Sequence, residues 1–340
     1  MKRERSFFDE EFRLRKISEH GDPLEKLNQH IDWEIFRPDL NNCFRKEPKA
    51  PGGRPNYDYV MMFKILILQI FYHLSDNQTQ FSILDRLSFM RFLGLELASD
   101  VPDEKTIWLF REKLAQSGLM KKLFKRFKKK LRSAGLIASK GCIIDASFVD
   151  VPRQRNSREE NEQIKKGETP VEWTENPSKK QQKDTDARWA KKNDETHYGY
   201  KDHIKADAKS KIILDYEVTD ASVHDSQPVA ELLDKEDKGK ELYADSAYSG
   251  EPIKEELEKK KIKDKIHEKG YRNKPLTEKQ KANNNRKSKI RVRVEHVFGF
   301  MTNSMKGMYI RTIGIERAKM KIGLMNLVYN VFRYIQLQRA

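Results

Sequence analysis

The stretch from Gly141 to Asp150, Gly-Cys-Ile-Ile-Asp-Ala-Ser-Phe-Val-Asp, constrains the fold of this chain more than any other. Cys142, Ile143 and Ile144 suit a buried strand, yet Asp145 follows them directly, where a bare carboxylate is expensive to bury. Such a residue needs a partner or a task. Two more acids sit in similar apolar settings: Asp245 in Leu242-Tyr-Ala-Asp-Ser-Ala-Tyr248 and Glu295 in Arg291-Val-Arg-Val-Glu-His-Val-Phe298. They follow a hundred and then fifty residues later, so only a tertiary fold can bring the three together. Each also has an ordinary alternative. Asp145 can pair with a buried cation, Asp245 can cap a helix, and Glu295 can form a surface pair with Arg291 one helical turn earlier.

At 340 residues the chain is long enough for one large domain and a smaller one. Its formal charge of +16 favours polyanionic partners, nucleic acid or an anionic membrane surface. Cys43 and Cys142 are the two cysteines, and their spacing supports neither a disulfide framework nor a zinc site, which fits a reducing compartment. Tyr59–Tyr72 is the most apolar run, but it is too short to span a membrane and carries Lys64, and Met1–Arg5 has no secretory core behind it. The expected location is the cytoplasm, on the nucleoid if the polyanion is DNA, with no membrane partner.

The first 138 residues read as helical. Pro23–Trp33 has a helical pattern, and the Pro- and Gly-rich segment Lys46–Pro55 breaks any regular element. Asn56 is placed to cap a helix over Tyr57–Tyr72 that is apolar nearly all round, the pattern of a helix buried among others. Leu84, Leu87, Phe89, Phe92 and Leu93 keep a helical period and read as one helix. Asp103 can cap Glu104–Leu114, a short helix behind another short helix, which is the outline both of an ordinary helix pair and of a DNA-reading helix-turn-helix. Met120–Arg132 carries eight cations and no acid, with Leu123, Phe124, Phe127 and Leu131 in one apolar stripe. Its charged side is either a solvated face or a phosphate-contacting one.

From Gly141 the period becomes strand-like. Cys142–Val149 is the first strand, and residues 153–196 are polar enough to read as a mobile insertion. His197–Ala206 and Lys211–Thr219 are strands around a turn at Asp207–Ser210, which with the first strand makes an antiparallel meander. Asp225 or Ser226 caps a helix through Leu233 with Pro228 in its first turn, Glu241–Asp245 is a fourth strand, Glu251–Lys260 a helix and Ile262–His267 a fifth strand. Ile290, Val292 and Val294 alternate like a strand, but Val294, Val297, Phe298 and Met301 restore helical spacing, so Glu295 is expected on a helix. A last helix covers about 314–337. The order βββαβαβα, with a polar insertion after the first strand, is that of an α/β ribonuclease H-like mixed sheet in residues 139–340, preceded by an all-α domain in residues 1–138.

Five blocks go further than a fold. Ile144-Asp-Ala-Ser147, His197-Tyr-Gly-Tyr-Lys-Asp-His203, Val223-His-Asp-Ser-Gln227, Asp245-Ser-Ala-Tyr248 and Arg291-Val-Arg-Val-Glu-His-Val-Phe-Gly299 together resemble the DDE transposases of bacterial insertion sequences, of the IS-five group. Gly53-Arg-Pro55, Asp85–Gly94 and Val101–Thr106 resemble the helical, DNA-binding domain that precedes the catalytic domain in that group. The resemblance spans roughly residues 50 to 335. In the related signature of Tyr, Arg, Glu and Lys, Arg291 and Glu295 are kept, but Ser288 stands in the Tyr position and Thr302 in the Lys position. The DNA contacts of that Tyr and Lys do not carry over, and Lys289 or Lys306 can substitute.

The resemblance implies Asp145, Asp245 and Glu295 as a catalytic triad that ligates two Mg²⁺ ions, with Mn²⁺ able to substitute. Two hard cations about 4 Å apart clamp the attacking and leaving oxygens of a phosphodiester, and carboxylates suit them. It also implies cleavage of element ends and their joining to target DNA, by a homodimer or higher oligomer acting on double-stranded DNA. The expected DNA contacts are Lys201, Tyr248, Lys287, Lys289, Arg291 and Arg293. Between Lys259 and Val294 fifteen Lys or Arg stand against three acids, a net of +12, which is either a solvated run or a phosphate-neutralised one that orders on DNA. His203, His224 and His296 read as structural, since hard cations prefer oxygen. Trp173 and Trp189 either stack on bases or pack on the domain. A nuclease that only hydrolyses and a catalytically silent DNA-binding descendant are the alternatives; the intact acids argue against the latter.

Overall fold

The computed structural model describes residues 8–45, 55–137, 140–192, 194–272 and 274–338. The expected break at Lys46–Pro55, Pro55 apart, the block residues Gly53 and Arg54, and the basic start at Met1–Arg5 lie outside them. The chain divides into two compact units, residues 1–130 with 327–340, and residues 131–326.

The first unit is helical: α1 (Asp9–Glu19), α2 (Pro23–His30), α3 (Arg37–Phe44), α4 (Tyr59–Tyr72), α5 (Asp76–Asp85), α6 (Leu87–Leu93), α7 (Glu104–Gln116) and most of α8 (Met120–Ser133). Every residue of α4 from Val60 to Ile70 is buried, as its all-round apolarity requires. Its cap is Asp58 rather than Asn56. The helix starts at Tyr59, so the Asp58 carboxylate is the one that reaches the Met61 N–H, at 2.9 Å, while Asn56 donates to the Tyr59 hydroxyl. Within α4 the Lys64 ammonium lies 4.5 Å from the Phe92 ring centre and 5.7 Å from that of Trp33, and burial pulls its pKa down to about 8. Asp103 caps α7 through the Thr106 N–H at 2.6 Å, as expected. The outward side of α7 carries Lys105, Trp108 and Leu109. On α8, Lys122 and Arg126 both hold the buried Asp39, so these cations are engaged inside the unit.

The second unit is built on a six-stranded mixed sheet of β1 (Gly141–Asp150), β2 (Arg188–Lys192), β3 (Glu195–Asp207), β4 (Ile213–Asp220), β5 (Glu241–Tyr243) and β6 (Lys263–Asp264). β3 runs antiparallel to β1, β2 and β4, whereas β5 lies parallel to β1 and β6 parallel to β5. The antiparallel strands follow the expected meander. Each parallel pair needs a crossover, supplied by α12 (Val229–Leu232) before β5 and α13 (Glu251–Lys259) before β6. This is the ribonuclease H-like arrangement expected from the order of elements.

Gly199 explains how β1 and β3 come together. Its φ is +150°, and a Cβ there would stand 2.4 Å from the Val149 carbonyl oxygen, so any other residue would push the two strands apart. The β1–β3 register sets Asp145 opposite Ile204 and Ser147 opposite Asp202 on one face, and Ala146 opposite His203 and Phe148 opposite Lys201 on the other.

Residues 153–196 differ from the mobile insertion expected. They form α9 (Arg158–Lys165), α10 (Val171–Glu175), α11 (Pro177–Gln181) and the strand β2. Trp173 is fully buried and donates through Nε1 to Glu160 at 2.7 Å, with Ile164 and Ala187 also buried. The Tyr200 hydroxyl donates to the buried Asp184 carboxylate at 2.8 Å. A few apolar residues anchored by one tryptophan suffice for a small core, and a composition window does not register them.

Smaller differences are local. The one helix expected to carry Leu84, Leu87, Phe89, Phe92 and Leu93 is two, because extended backbone at Arg86 ends α5, which holds Leu84, before α6, which holds the other four. The fourth strand ends at Tyr243, two residues short of Asp245, and the fifth is reduced to two residues. Pro228 stands in the cap position of α12 without a side-chain cap. The segment around Glu295 is α14 (Glu278–Arg291), a 3₁₀ turn (Val292–Val294) and α15 (Glu295–Asn303), so the helix expected there is present. α14 starts with a Thr277–Gln280 capping box, and its basic sequence is regular helix. The last helix, α16, covers Ile315–Gln338.

Candidate active site

Asp145 sits in mid-β1 because that strand supplies buried backbone on both sides of it. Its Oδ1 accepts the Ala146 N–H at 2.9 Å, and its Oδ2 accepts from Arg291 Nη1 at 3.1 Å. The side chain is 15% exposed. Burial raises its pKa to about 6; the Ala146 hydrogen bond and Arg291 pull the other way, and the negative charge of Asp245 pushes further upward. Asp245 follows β5, the parallel neighbour of β1, and its Oδ1 caps the short 3₁₀ turn Ser246–Tyr248 through the Ala247 N–H at 2.8 Å. The capping role open to this residue is thus filled, by the same carboxylate that repels Asp145.

Glu295 begins α15. One turn earlier, at the end of α14, Arg291 donates from Nη2 to Glu295 Oε1 at 2.9 Å. A single guanidinium therefore bridges two acids 150 residues apart in sequence, the outer one more than half exposed. Two polar atoms beside it have no hydrogen-bond partner: Arg291 Nε and the Tyr248 hydroxyl. Burial and the carboxylates of Asp145, Asp225 and Asp245 hold the Tyr248 phenol firmly protonated.

These groups suit a hard cation in chemistry. The donors are carboxylate oxygens, burial leaves Asp145 short of positive charge, and the buried Tyr248 hydroxyl lacks a partner within the protein. In the arrangement observed, however, no group of three or more His, Cys, Asp or Glu side chains among the described residues is disposed to hold a metal ion. Glu295 is turned onto Arg291 instead.

The expected DNA contacts separate into two kinds. Lys289 is exposed on α14, and Arg291 lies at the acids. The other four face inward. Lys201 donates to Asp225 Oδ1 at 2.8 Å and to the Val223 carbonyl at 2.7 Å, Lys287 to the Ile266 carbonyl at 2.7 Å, and Arg293 to the Ala208 carbonyl at 2.7 Å, while Tyr248 is 1% exposed. A cation drawn into the domain needs an acceptor, and these have found theirs. They tie strand, turn and helix segments of their own unit together. Ser288, in the Tyr position of the signature, lies 3.3 Å from His267 Nε2.

Sequence reasoning missed other buried polar pairs. Lys205 and Asp237, each 1% exposed, pair at 2.6 Å, and Asn326 donates to Asp202 at 3.0 Å. The available signal was Asp202 and Lys205 on one strand, β3. His203 is fully buried, its Nε2 2.9 Å from the Thr219 hydroxyl, and burial lowers its pKa to about 4, which fits the structural role expected for it.

Two family models match this chain. One, described as "Transposase DDE domain", covers residues 138–331, and the other, described as "Transposase domain (DUF772)", covers residues 12–113. Among solved structures, one described as "Cryo-EM structure of piggyBac transposase synaptic complex with hairpin DNA" is similar with a TM-score of 0.45 and 13% identity, over 93% of this chain and 75% of that one. No helix among the described residues is long and apolar enough to cross a membrane. The DDE-domain match takes in more than half of the chain and all the residues of the site, and the protein belongs to the family of transposases with a DDE domain.

Proposed function

We propose that this transposase cleaves double-stranded DNA at the ends of its own element and joins the freed 3′ ends to target DNA, with Asp145, Asp245 and Glu295 as its catalytic acids. The observation that carries the reading is that Asp145 and Asp245 stand close enough to repel, while Arg291 ties Asp145 to Glu295. DDE transposases generally use divalent metal ions, and the carboxylates of Asp145, Asp245 and Glu295 would hold two Mg²⁺, or Mn²⁺ in their place. When bound, the ions would lower the pKa of a ligating water and stabilise charge on the phosphate oxygens. Arg291 is suited to a scissile-region phosphate, because a guanidinium matches phosphate oxygens in pairs. Lys289 extends this positive charge along the DNA backbone. The helical residues 1–138 would recognise the element ends. Joining two ends calls for at least two copies of the chain, acting where chromosomal DNA is, in the cytoplasm.

The test uses purified full-length protein, Mg²⁺ and a duplex containing the DNA that flanks its gene. Strand nicks exposing a 3′-hydroxyl and joined products are expected. Asp145→Asn, Asp245→Asn and Glu295→Gln should each lose both products and keep duplex binding. Cleavage near the wild-type rate in any of them would remove that residue from the assignment, and nicks without joined products would identify a hydrolytic nuclease.

A further inference from the structure

In the arrangement observed Arg291 already occupies one carboxylate oxygen on each of two of the three acids. Its Nη1 holds Asp145 Oδ2 at 3.1 Å and its Nη2 holds Glu295 Oε1 at 2.9 Å. The remaining Asp145 oxygen accepts from Ala146, and one Asp245 oxygen from Ala247. A guanidinium and a divalent cation compete for the same carboxylate oxygens, by crowding and by like charge. The bridge also has a defect. Arg291 Nε is buried and has no acceptor, so the position that satisfies both acids leaves one of the guanidinium's own donors unmet. A phosphate accepting from Nε and an Nη would satisfy the fork better. Arg291 is the last residue of α14, immediately before the 3₁₀ turn Val292–Val294, and exposed Lys289 stands two residues before it, where a DNA backbone would first meet this helix end.

We infer that Arg291 is the internal counter-ion of the DNA-free site, and that a DNA phosphate must draw it off Asp145 and Glu295 before these acids can take up divalent cations. The inference rests on the assignment of the acids proposed above and adds an order to it: DNA first, metal second. An element end would then assemble the metal site, and the protein without DNA would be a poor metal binder and a silent nuclease. Because binding couplings are reciprocal, cations should tighten DNA binding by the same factor by which DNA tightens cation binding.

The experiment is a titration of full-length protein with MnCl₂, followed by calorimetry or by water-proton relaxation, with and without a duplex of the DNA flanking its gene. Without DNA, Arg291→Gln should bind Mn²⁺ about tenfold or more tighter than wild type, and the gain should vanish in Arg291→Gln/Asp145→Asn. The duplex should tighten Mn²⁺ binding to the wild type by a similar factor and to Arg291→Gln by about twofold or less. Circular dichroism checks folding; should Arg291→Gln not fold, Arg291→Lys keeps the charge but cannot span both acids, and the same direction of change is expected. Unaltered or weaker Mn²⁺ binding in the Arg291 variant overturns the inference, and if Asp145→Asn alone still abolishes wild-type binding, the assignment of the acids stands without it. A gain that survives in the double variant overturns both.

Discussion

Arg291 stands 3.1 Å from Asp145, yet the attraction does not offset the cost of burying the carboxylate, which titrates near 6 rather than in the usual range. In the unfolded chain the same group titrates near 3.9. Between these values the folded protein binds more protons than the unfolded one, so stability falls as pH rises from about 4 to about 6 and levels off above. The loss is on the order of 2–3 kcal/mol. Asp145→Asn should lack this slope, as denaturant midpoints measured at pH 4 and pH 7 would show. An identical pH response in wild type and variant would contradict the burial account.

His203 should contribute the opposite slope. Burial depresses its pKa to about 4, so its stabilising effect is complete above about 6.5, the unfolded value, and is lost as pH falls towards 4. Replacing it by Gln, which can still meet the Thr219 hydroxyl, should remove roughly 2–3 kcal/mol of this pH dependence. The midpoint of the variant should then change less than that of the wild type between pH 7 and pH 4.5.

Gly199→Ala should be severely destabilising, by roughly 2–4 kcal/mol, because the new methyl would meet the Val149 carbonyl oxygen at 2.4 Å on rigid strand backbone. Gly94→Ala offers a control. It also has positive φ but has nothing within 4 Å, and should cost about 1 kcal/mol. Thermal unfolding of the two variants should show a clear gap between them.

The basic α14 region should divide into two classes of cation. Arg286→Ala and Lys289→Ala remove exposed charges and should each flatten the log–log salt dependence of DNA binding by about one unit if they meet phosphates. Lys287→Ala and Arg293→Ala remove donors to backbone carbonyls, and should lower thermal stability while leaving the salt slope nearly unchanged. Equal slopes for all four variants would mean that the inward cations swing out onto DNA.

The amino-acid sequence by itself determined the succession of helices, the meander around β1, the helix under Glu295 and the burial of α4. These follow from periods and breakers that act over a few residues, and the chain states them locally. Only the tertiary structure decided that Arg291 would bridge Asp145 and Glu295, that Lys201, Lys287 and Arg293 would turn inward, and that Trp173 would give the polar insertion a core. A lysine reads the same in sequence whether it faces water or a buried carbonyl. Which of the two it meets depends on backbone brought from far along the chain, and so does the pKa of Asp145, because burial and neighbouring charge come from β1, β5 and α14 together.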